Sequence, residues 1–171
     1  MKIKLSEIPD EGLEIESVEA LGPVYVDRDW TLERVALRLE RDGDTVFVQG
    51  DLGASVPQSC GRCLEPMRVS VAPEVNARLV PAPRGRVEGR ELGSQDLETD
   101  VYAGDAIDLG ALIQTETSLA LPMKPLCRDS CRGLCPVCGI NRNSSTCACD
   151  TSTADPRWAP LKGLADRLSS H

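Results

Sequence analysis

The sequence predicts an α+β protein, in which an antiparallel β meander carries a packed helix and is followed by a C-terminal cysteine-rich tail ending in a short helix. Three observations support this fold class. Apolar residues alternate along residues 34–81, they recur at helical spacing along residues 106–122, and six of the eight cysteines lie within residues 127–149. We therefore expect a β-rich body at residues 1–122 and a cysteine-rich tail at residues 123–171.

The alternating stretch indicates half-buried strands, because every second side chain of a strand faces the same side. Its apolar positions are Val35, Leu37, Leu39, Val46, Val48, Leu52, Met67, Val69, Val71, Val75, Ala77 and Leu79. Two turn signals, ERDGDT at 40–45 and SCGRCLEP at 59–66, divide these positions and predict an antiparallel meander with one polar face. An earlier strand, near 13–21 or at 3–5, is expected to join it.

The next two segments predict a loop and a helix. Residues 84–105 mix Pro, Gly and acidic residues without a period, which predicts a flexible acidic loop within the body. Helical spacing then begins after Asp108, a favoured N-cap residue, and should end before Pro122. We expect this helix to lie across the sheet.

The last segment, DPRWAPLKGLADRLSSH at 155–171, predicts a short amphipathic helix. Its apolar residues at helical spacing are Trp158, Leu161, Leu164 and Leu168, and Pro160 fits the first turn. Docking of this helix on the body is favoured, and binding to a partner is the alternative.

Composition favours a cytoplasmic protein with no membrane partner. The N-terminus reaches Pro9, Asp10 and Glu11 before any apolar run of signal-peptide length, and no stretch approaches a membrane span. The net charge is −8, yet residues 123–171 hold seven basic and four acidic side chains. The tail is thus the one basic segment, either a solvated face or a contact surface for phosphates.

The cysteines predict structural zinc sites, because thiols stay reduced in the cytoplasm and occur here at metal-ligand spacings. Cys60 and Cys63 form one CxxC knuckle, and Cys135 and Cys138 form another, in which Gly139 supplies the positive φ that the turn needs. The remaining cysteines are Cys127, Cys131, Cys147 and Cys149. Eight thiolates suffice for two zinc ions.

The pairing of these cysteines has two solutions. The shortest loop closes residues 135 and 138 onto 147 and 149, which leaves 60 and 63 to meet 127 and 131 and to staple the tail onto the sheet. Two facing knuckles, with 60 and 63 meeting 135 and 138, are the alternative. Sequence alone does not choose between them.

The sequence gives little support for an enzyme. The CxxxCxxC spacing from Cys131 to Cys138 matches radical enzymes with an iron-sulfur cluster, but too few residues follow it for their barrel. CGRC resembles a thioredoxin pair, yet LEP after it indicates a turn into a strand. A catalytic zinc keeps an open position and usually has a histidine or carboxylate ligand, and the only histidine is His171. We therefore expect no enzyme activity and no small-molecule substrate.

Four motifs in order resemble the YceD family of large ribosomal RNA subunit accumulation proteins. They are CGRCLEP at 60–66, LALPMKPLC at 119–127, CRGLCPVCGINRN at 131–143 and DPRWAPLKGL at 155–164. The resemblance implies a bacterial, cytoplasmic ribosome biogenesis factor without established catalysis, which acts in accumulation or processing of large-subunit ribosomal RNA. It carries over only the metal ligands as site residues.

The family resemblance and the charge of the tail together suggest one hypothesis about binding partners. Zinc would hold Lys124, Arg128, Arg132 and Arg142 on a rigid tail, where they could contact ribosomal RNA or a pre-ribosomal particle. Two other functions stay open. One is a protein-protein adaptor that recognises, for example, a ribosomal protein, and the other is a thiol redox sensor.

Overall fold

A computed structural model gives the fold of residues 1–83, 93, 99–150, 157 and 161. The chain divides into two compact units. Unit 1 consists of Met1–Ser59 and Pro66–Pro125, and unit 2 consists of Cys60–Glu65 and Leu126–His171. The turn Cys60–Glu65 is therefore grouped with the C-terminal part of the chain, whereas the sequence places it within the body.

Unit 1 is mixed α and β with mostly strands. In chain order its elements are β1 (Lys2–Lys4), a 3-10 turn (Leu5–Glu7), β2 (Leu13–Ile15), α1 (Val18–Leu21), β3 (Thr31–Asp42), β4 (Thr45–Ser59), β5 (Pro66–Val71), β6 (Glu74–Pro81), β7 (Thr99–Tyr102), β8 (Ala106–Asp108) and α2 (Leu109–Leu119). Strands β2 to β7 form one sheet in the order β2-β3-β4-β6-β7, with β5 also paired to β4, while β1 pairs with β8. Both early strands that the sequence offered are thus present, and β2 is the one that joins the large sheet.

The predicted antiparallel meander is confirmed for β3, β4 and the pair β5 and β6. Strand β4 is long enough to pair with both later strands, and Ala54 faces Val71 of β5 while Asp51 faces Glu74 of β6. The two pairings keep one continuous register, so β5 and β6 act as a single strand interrupted near Pro73. Proline has no N–H to donate, which explains an interruption without a turn.

Strand β7 corrects the expectation of a flexible loop at 84–105. Thr99–Tyr102 pairs with β6 in parallel orientation, although the sequence shows no alternation there. Tyr102 is buried and its hydroxyl donates to the carbonyl oxygen of Asp44 at 2.7 Å. The Tyr102 contact adds to the backbone pairing with β6, and neither of these contacts produces a period in the sequence. Most of the rest of that loop lies outside the described residues.

Helix α2 confirms the predicted helix. The Asp108 carboxylate accepts a hydrogen bond from the backbone N–H of Ala111 at 3.1 Å, and the helix ends before Pro122. Its buried residues Leu109 and Ile113 belong to the same core cluster as the inward residues of the sheet. Among the described residues, that core cluster contains no cysteine and consists of aliphatic side chains together with Tyr102.

The predicted C-terminal helix lies outside the described residues, of which only Arg157 and Leu161 fall in that segment. Among the described parts of the chain, no helix has the length and apolar character needed to cross a membrane.

Candidate metal centres

Unit 2 brings four cysteines together at a first tetrad, which consists of Cys60, Cys63, Cys127 and Cys131. Their Sγ atoms all lie within 4.8 Å of one another. The Sγ atoms of Cys60 and Cys131 are 3.8 Å apart, and those of Cys63 and Cys127 are 3.7 Å apart. These separations fit one tetrahedral ion, because bonds of about 2.3 Å from zinc to sulfur put neighbouring sulfurs roughly 3.8 Å apart.

A second tetrad has the same arrangement and consists of Cys135, Cys138, Cys147 and Cys149, whose Sγ atoms again lie within 4.8 Å of one another. The two tetrads are the groupings that the shortest-loop argument favours, and they differ from the alternative of two facing knuckles. Every cysteine of the chain therefore has three thiol neighbours. Each tetrad could hold a metal ion.

The two CxxC knuckles share one backbone geometry. The N–H of Cys60 donates to the carbonyl of Glu65 at 3.0 Å, and the N–H of Cys135 donates to that of Ile140 at 2.9 Å. In each knuckle the residue after the second cysteine has positive φ, 60° for Leu64 and 72° for Gly139. The sequence predicts this conformation at the glycine and gives no sign of it at the leucine.

Backbone N–H groups stabilise thiolate in both knuckles. The pKa of the Cys60 thiol is lowered to about 6 by backbone N–H groups, most by that of Cys63 and less by those of Cys127 and Arg62. The N–H groups of Cys138 and Val137 lower the pKa of Cys135 to about 6. A sulfur that accepts several N–H bonds is prepared as an anionic ligand, as metal-binding knuckles require.

The thiols of Cys127 and Cys149 show the effect of crowding four sulfurs together. Although Cys127 as a residue is exposed, loss of water around its sulfur and the three neighbouring thiols raise its pKa to about 12. Cys149 is raised to a pKa of about 12, first by the neighbouring thiol of Cys138 and next by loss of water. A divalent cation would relieve this repulsion, because it favours deprotonation of all four ligands.

The chemistry of the donor set favours zinc. Four thiolates in a closed tetrahedral group are typical of structural zinc sites, since zinc has no redox chemistry and no preference for another geometry. Such an ion would tie the separate pieces of unit 2 together. With all four positions taken by sulfur, neither tetrad offers an open position for a substrate.

The polar neighbours of the first tetrad include residues that the sequence analysis missed. One guanidinium nitrogen of Arg62 donates to the carbonyl oxygens of Asp129 and Cys131, at 3.0 and 2.9 Å. The side-chain amide of Asn143 donates to the Sγ of Cys131 at 3.3 Å, which lowers the pKa of that thiol. Arg62 sits inside the CGRC knuckle and Asn143 inside the GINRN motif, which is the only sequence signal for them.

The four basic residues predicted to contact RNA divide between the units. Lys124 belongs to unit 1, and Arg128, Arg132 and Arg142 belong to unit 2. Arg128 and Arg132 are exposed and Arg142 is half-buried. Among the ion pairs of the described residues, none involves these three guanidinium groups. They stay a prediction.

The fold and these two tetrads define a class: a mixed α and β protein, mostly strands, with two tetracysteine groups that could bind metal. The family described as "Large ribosomal RNA subunit accumulation protein YceD" matches residues 48–165, which include all eight cysteines. The chain belongs to this family, and the resemblance seen in the four motifs is confirmed.

Relatives occur in bacteria and plants. An uncharacterized protein of Mycobacterium tuberculosis is 38% identical over 125 residues, which cover 73% of this chain and 58% of the relative. An uncharacterized protein of Mycobacterium leprae is 31% identical over 90% of this chain and 64% of the relative. A maize protein named "Large ribosomal RNA subunit accumulation protein YCED homolog 1, chloroplastic" is 28% identical over 83% of this chain and 53% of the relative.

The chain spans less than two thirds of the length of each of these relatives. No solved structure matches it.

Proposed function

We propose that this protein is a non-catalytic, cytoplasmic ribosome biogenesis factor that supports accumulation or processing of large-subunit ribosomal RNA. Two structural zinc ions, one in each cysteine tetrad, would order unit 2 as the part that contacts RNA or a pre-ribosomal particle. The proposal that zinc binds here rests on the two closed groups of four sulfur atoms. The ribosomal part is supported by the family and by the printed name of the maize relative.

The backbone of unit 2 supports a role for its arginines in binding. The carbonyl of Arg128 accepts a hydrogen bond from the N–H of Cys131 at 3.0 Å. The N–H of Arg132 donates to the side chain of Asn143 at 2.8 Å, and that of Arg142 donates to the carbonyl of Gly133 at 2.9 Å. The backbone at each of the three arginines is thus hydrogen-bonded to residues within or close to the cysteine motifs.

Phosphate contact by individual arginines fits this charge distribution better than attraction by net charge. Four thiolates and one Zn²⁺ sum to a negative formal charge, and the whole chain has a net charge of −8. Nonspecific attraction to RNA should therefore be weak, while a guanidinium held in a fixed position can still bind a phosphate in a bidentate manner.

Binding of the full chain to large-subunit ribosomal RNA fragments, measured over a range of salt concentrations, tests this proposal. The test variant combines Lys124→Gln, Arg128→Gln, Arg132→Gln and Arg142→Gln. The control combines Lys4→Gln, Arg28→Gln, Arg34→Gln and Arg78→Gln, which makes the same change in charge at exposed residues of unit 1. Metal content and circular dichroism confirm that both variants stay folded.

The proposal predicts at least tenfold weaker binding for the test variant and a logarithmic salt slope that falls by about 3, while the control changes little. Equal effects in the two variants, or unchanged binding by the test variant, would contradict the proposal. Unchanged RNA affinity combined with loss of a ribosomal protein partner would instead favour the adaptor function.

A further inference from the structure

We propose that the side chain of Asn143 couples the two cysteine tetrads, so that a metal ion in the second tetrad raises the affinity of the first tetrad for its own ion. This inference rests on the metal binding in the proposed function. Asn143 ligates neither ion. It would act as a positioning residue that joins the loop closed by one tetrad to a ligand of the other.

The hydrogen bonds of Asn143 connect the second loop to the first tetrad. The residue lies between Cys138 and Cys147, which both belong to the second tetrad. Its side-chain Nδ2 donates to the Sγ of Cys131, a member of the first tetrad, at 3.3 Å. Its Oδ1 accepts from the backbone N–H of Arg132, next to that ligand, at 2.8 Å. Both polar atoms of the amide thus serve the first tetrad from within the second loop.

Asn141 holds Asn143 in this position. Its Oδ1 accepts hydrogen bonds from the backbone N–H of Asn143 at 3.0 Å and from the Nδ2 of Asn143 at 2.9 Å. Its own Nδ2 donates to the carboxylate of Glu65, in the first knuckle, at 2.8 Å. The same loop therefore contacts the first tetrad region at two places.

The backbone adds a third connection between the two tetrads. The N–H of Leu134 donates to the carbonyl of Arg62 at 3.0 Å, and Leu134 forms an antiparallel bridge with Asn141. Gly133, with a φ of 69°, permits this close approach, because a Cβ there would lie 3.0 Å from the Arg62 carbonyl oxygen. The first knuckle and the second loop are thus one hydrogen-bonded assembly.

Coupling follows from the cost of ordering the loop. A metal ion that joins Cys138 to Cys147 closes residues 139–146 and removes most of their conformational freedom. Asn143 is then presented to Cys131 without further entropy cost when the first tetrad binds its ion. By linkage, the first ion must raise the affinity of the second tetrad by the same factor.

A thermodynamic cycle in the full chain tests this coupling. Four proteins are compared: the wild type, Asn143→Ala, Cys147→Ser/Cys149→Ser, and the combination of all three changes. Cadmium is used as the probe, since NMR of the bound ion resolves the two tetrads, and a competing chelator gives the affinity of the first one. Loss of the Asn143 amide should weaken the first tetrad by about 10- to 100-fold, as loss of a group that supports a metal ligand typically does.

The decisive result is non-additivity. Removal of the second tetrad should lower the metal affinity of the first tetrad to a similar extent. The affinity in the combined variant should equal that of the lower-affinity parent variant, within about twofold. Asn143→Asp should also weaken the first tetrad, because it keeps the acceptor for Arg132 but loses the donor to Cys131. Ser145→Ala is the matched control, since the backbone N–H of Ser145 that donates to Asn141 is retained.

If the wild type binds two ions but Asn143→Ala leaves the affinity of the first tetrad unchanged, the coupling is overturned and metal binding is not. The same holds if the losses of affinity caused by Asn143→Ala and by Cys147→Ser/Cys149→Ser multiply in the combined variant. A wild-type chain that binds no ion at either tetrad would overturn the metal part of the proposed function together with this inference. Because the readout is affinity for the metal alone, neither result depends on RNA binding.

Discussion

Leu64 in the first knuckle and Gly139 in the second occupy the same backbone position. Both have positive φ, 60° and 72°, and each N–H donates to the carbonyl of the first cysteine of its own knuckle at 2.9 Å. Glycine adopts this conformation freely, whereas a residue with a Cβ is disfavoured there. The first knuckle thus retains a strained residue where the second does not.

Exchanging the residue types should have opposite effects at the two knuckles. Gly139→Leu should lower the metal affinity of the second tetrad, by about 1 to 2 kcal/mol, because it introduces the strain that a Cβ meets at positive φ. Leu64→Gly should raise the affinity of the first tetrad by up to about 1 kcal/mol, because glycine adopts this conformation without strain. Chelator competition measures both affinities.

Leu64→Ala is the matched control, since it shortens the side chain and keeps the Cβ. It should lack the gain of the glycine variant. Weaker metal binding by Leu64→Gly would show that the exposed leucine side chain itself supports the site, contrary to the strain argument.

Arg62 should stabilise unit 2 through its side chain. Arg62→Ala removes the hydrogen bonds from its guanidinium to the carbonyls of Asp129 and Cys131, and bonds from charged donors are worth about 1.5 to 3 kcal/mol when well formed. Because Arg62 is exposed, we expect a loss of about 1 to 2 kcal/mol in the free energy of unfolding of unit 2. The denaturant concentration at which half of the metal is released at equilibrium reports this loss.

Arg128→Ala is the comparison, because it removes an exposed arginine of the same unit and keeps the backbone carbonyl that bonds Cys131. It should release metal at the same denaturant concentration as the wild type. Equal midpoints for the two variants would show that the Arg62 bonds contribute nothing to stability.

Removal of metal should unfold unit 2 and spare unit 1. Among the described residues, the core of unit 1 is a cluster of buried apolar side chains with no cysteine, whereas the two cysteine tetrads lie in unit 2 and would hold its parts together. Chelation of the reduced protein should therefore collapse the amide NMR dispersion of residues 126–150 and leave that of β3 and β4 in place. Added zinc should restore the spectrum.

Loss of dispersion in both units on chelation would show that unit 1 also depends on metal. Retention in both would show that hydrogen bonds alone hold unit 2. Either result would contradict the assignment of the metal to unit 2.

The sequence predicted the elements that depend on a single local pattern. Alternation of apolar residues located β3 to β6, the Asp108 N-cap located α2, and loop-closure entropy favoured the grouping of cysteines that the structure has. Sequence reasoning missed β7, which pairs with β6 and whose Tyr102 makes a long-range contact with Asp44. A contact between distant residues leaves no local period.

The supporting residues of the tetrads were also missed, for a related reason. Spacing rules identify sulfur ligands, but they do not say which amide or guanidinium will face them. Asn143 contacts Cys131 only because the second knuckle turns the chain back, and Arg62 reaches Asp129 across a long stretch of sequence. These roles depend on the folded geometry of unit 2.

The eight cysteines are expected to bind metal at two separate four-sulfur sites. Metal analysis of the purified, reduced protein should decide this, by comparing the wild type with Cys60→Ser/Cys63→Ser and with Cys147→Ser/Cys149→Ser. The wild type should bind two zinc ions per chain, and each double variant should bind one fewer when the remaining tetrad is saturated with zinc. A wild-type chain with no zinc, or with iron and sulfide, would show that the tetrads are not structural zinc sites.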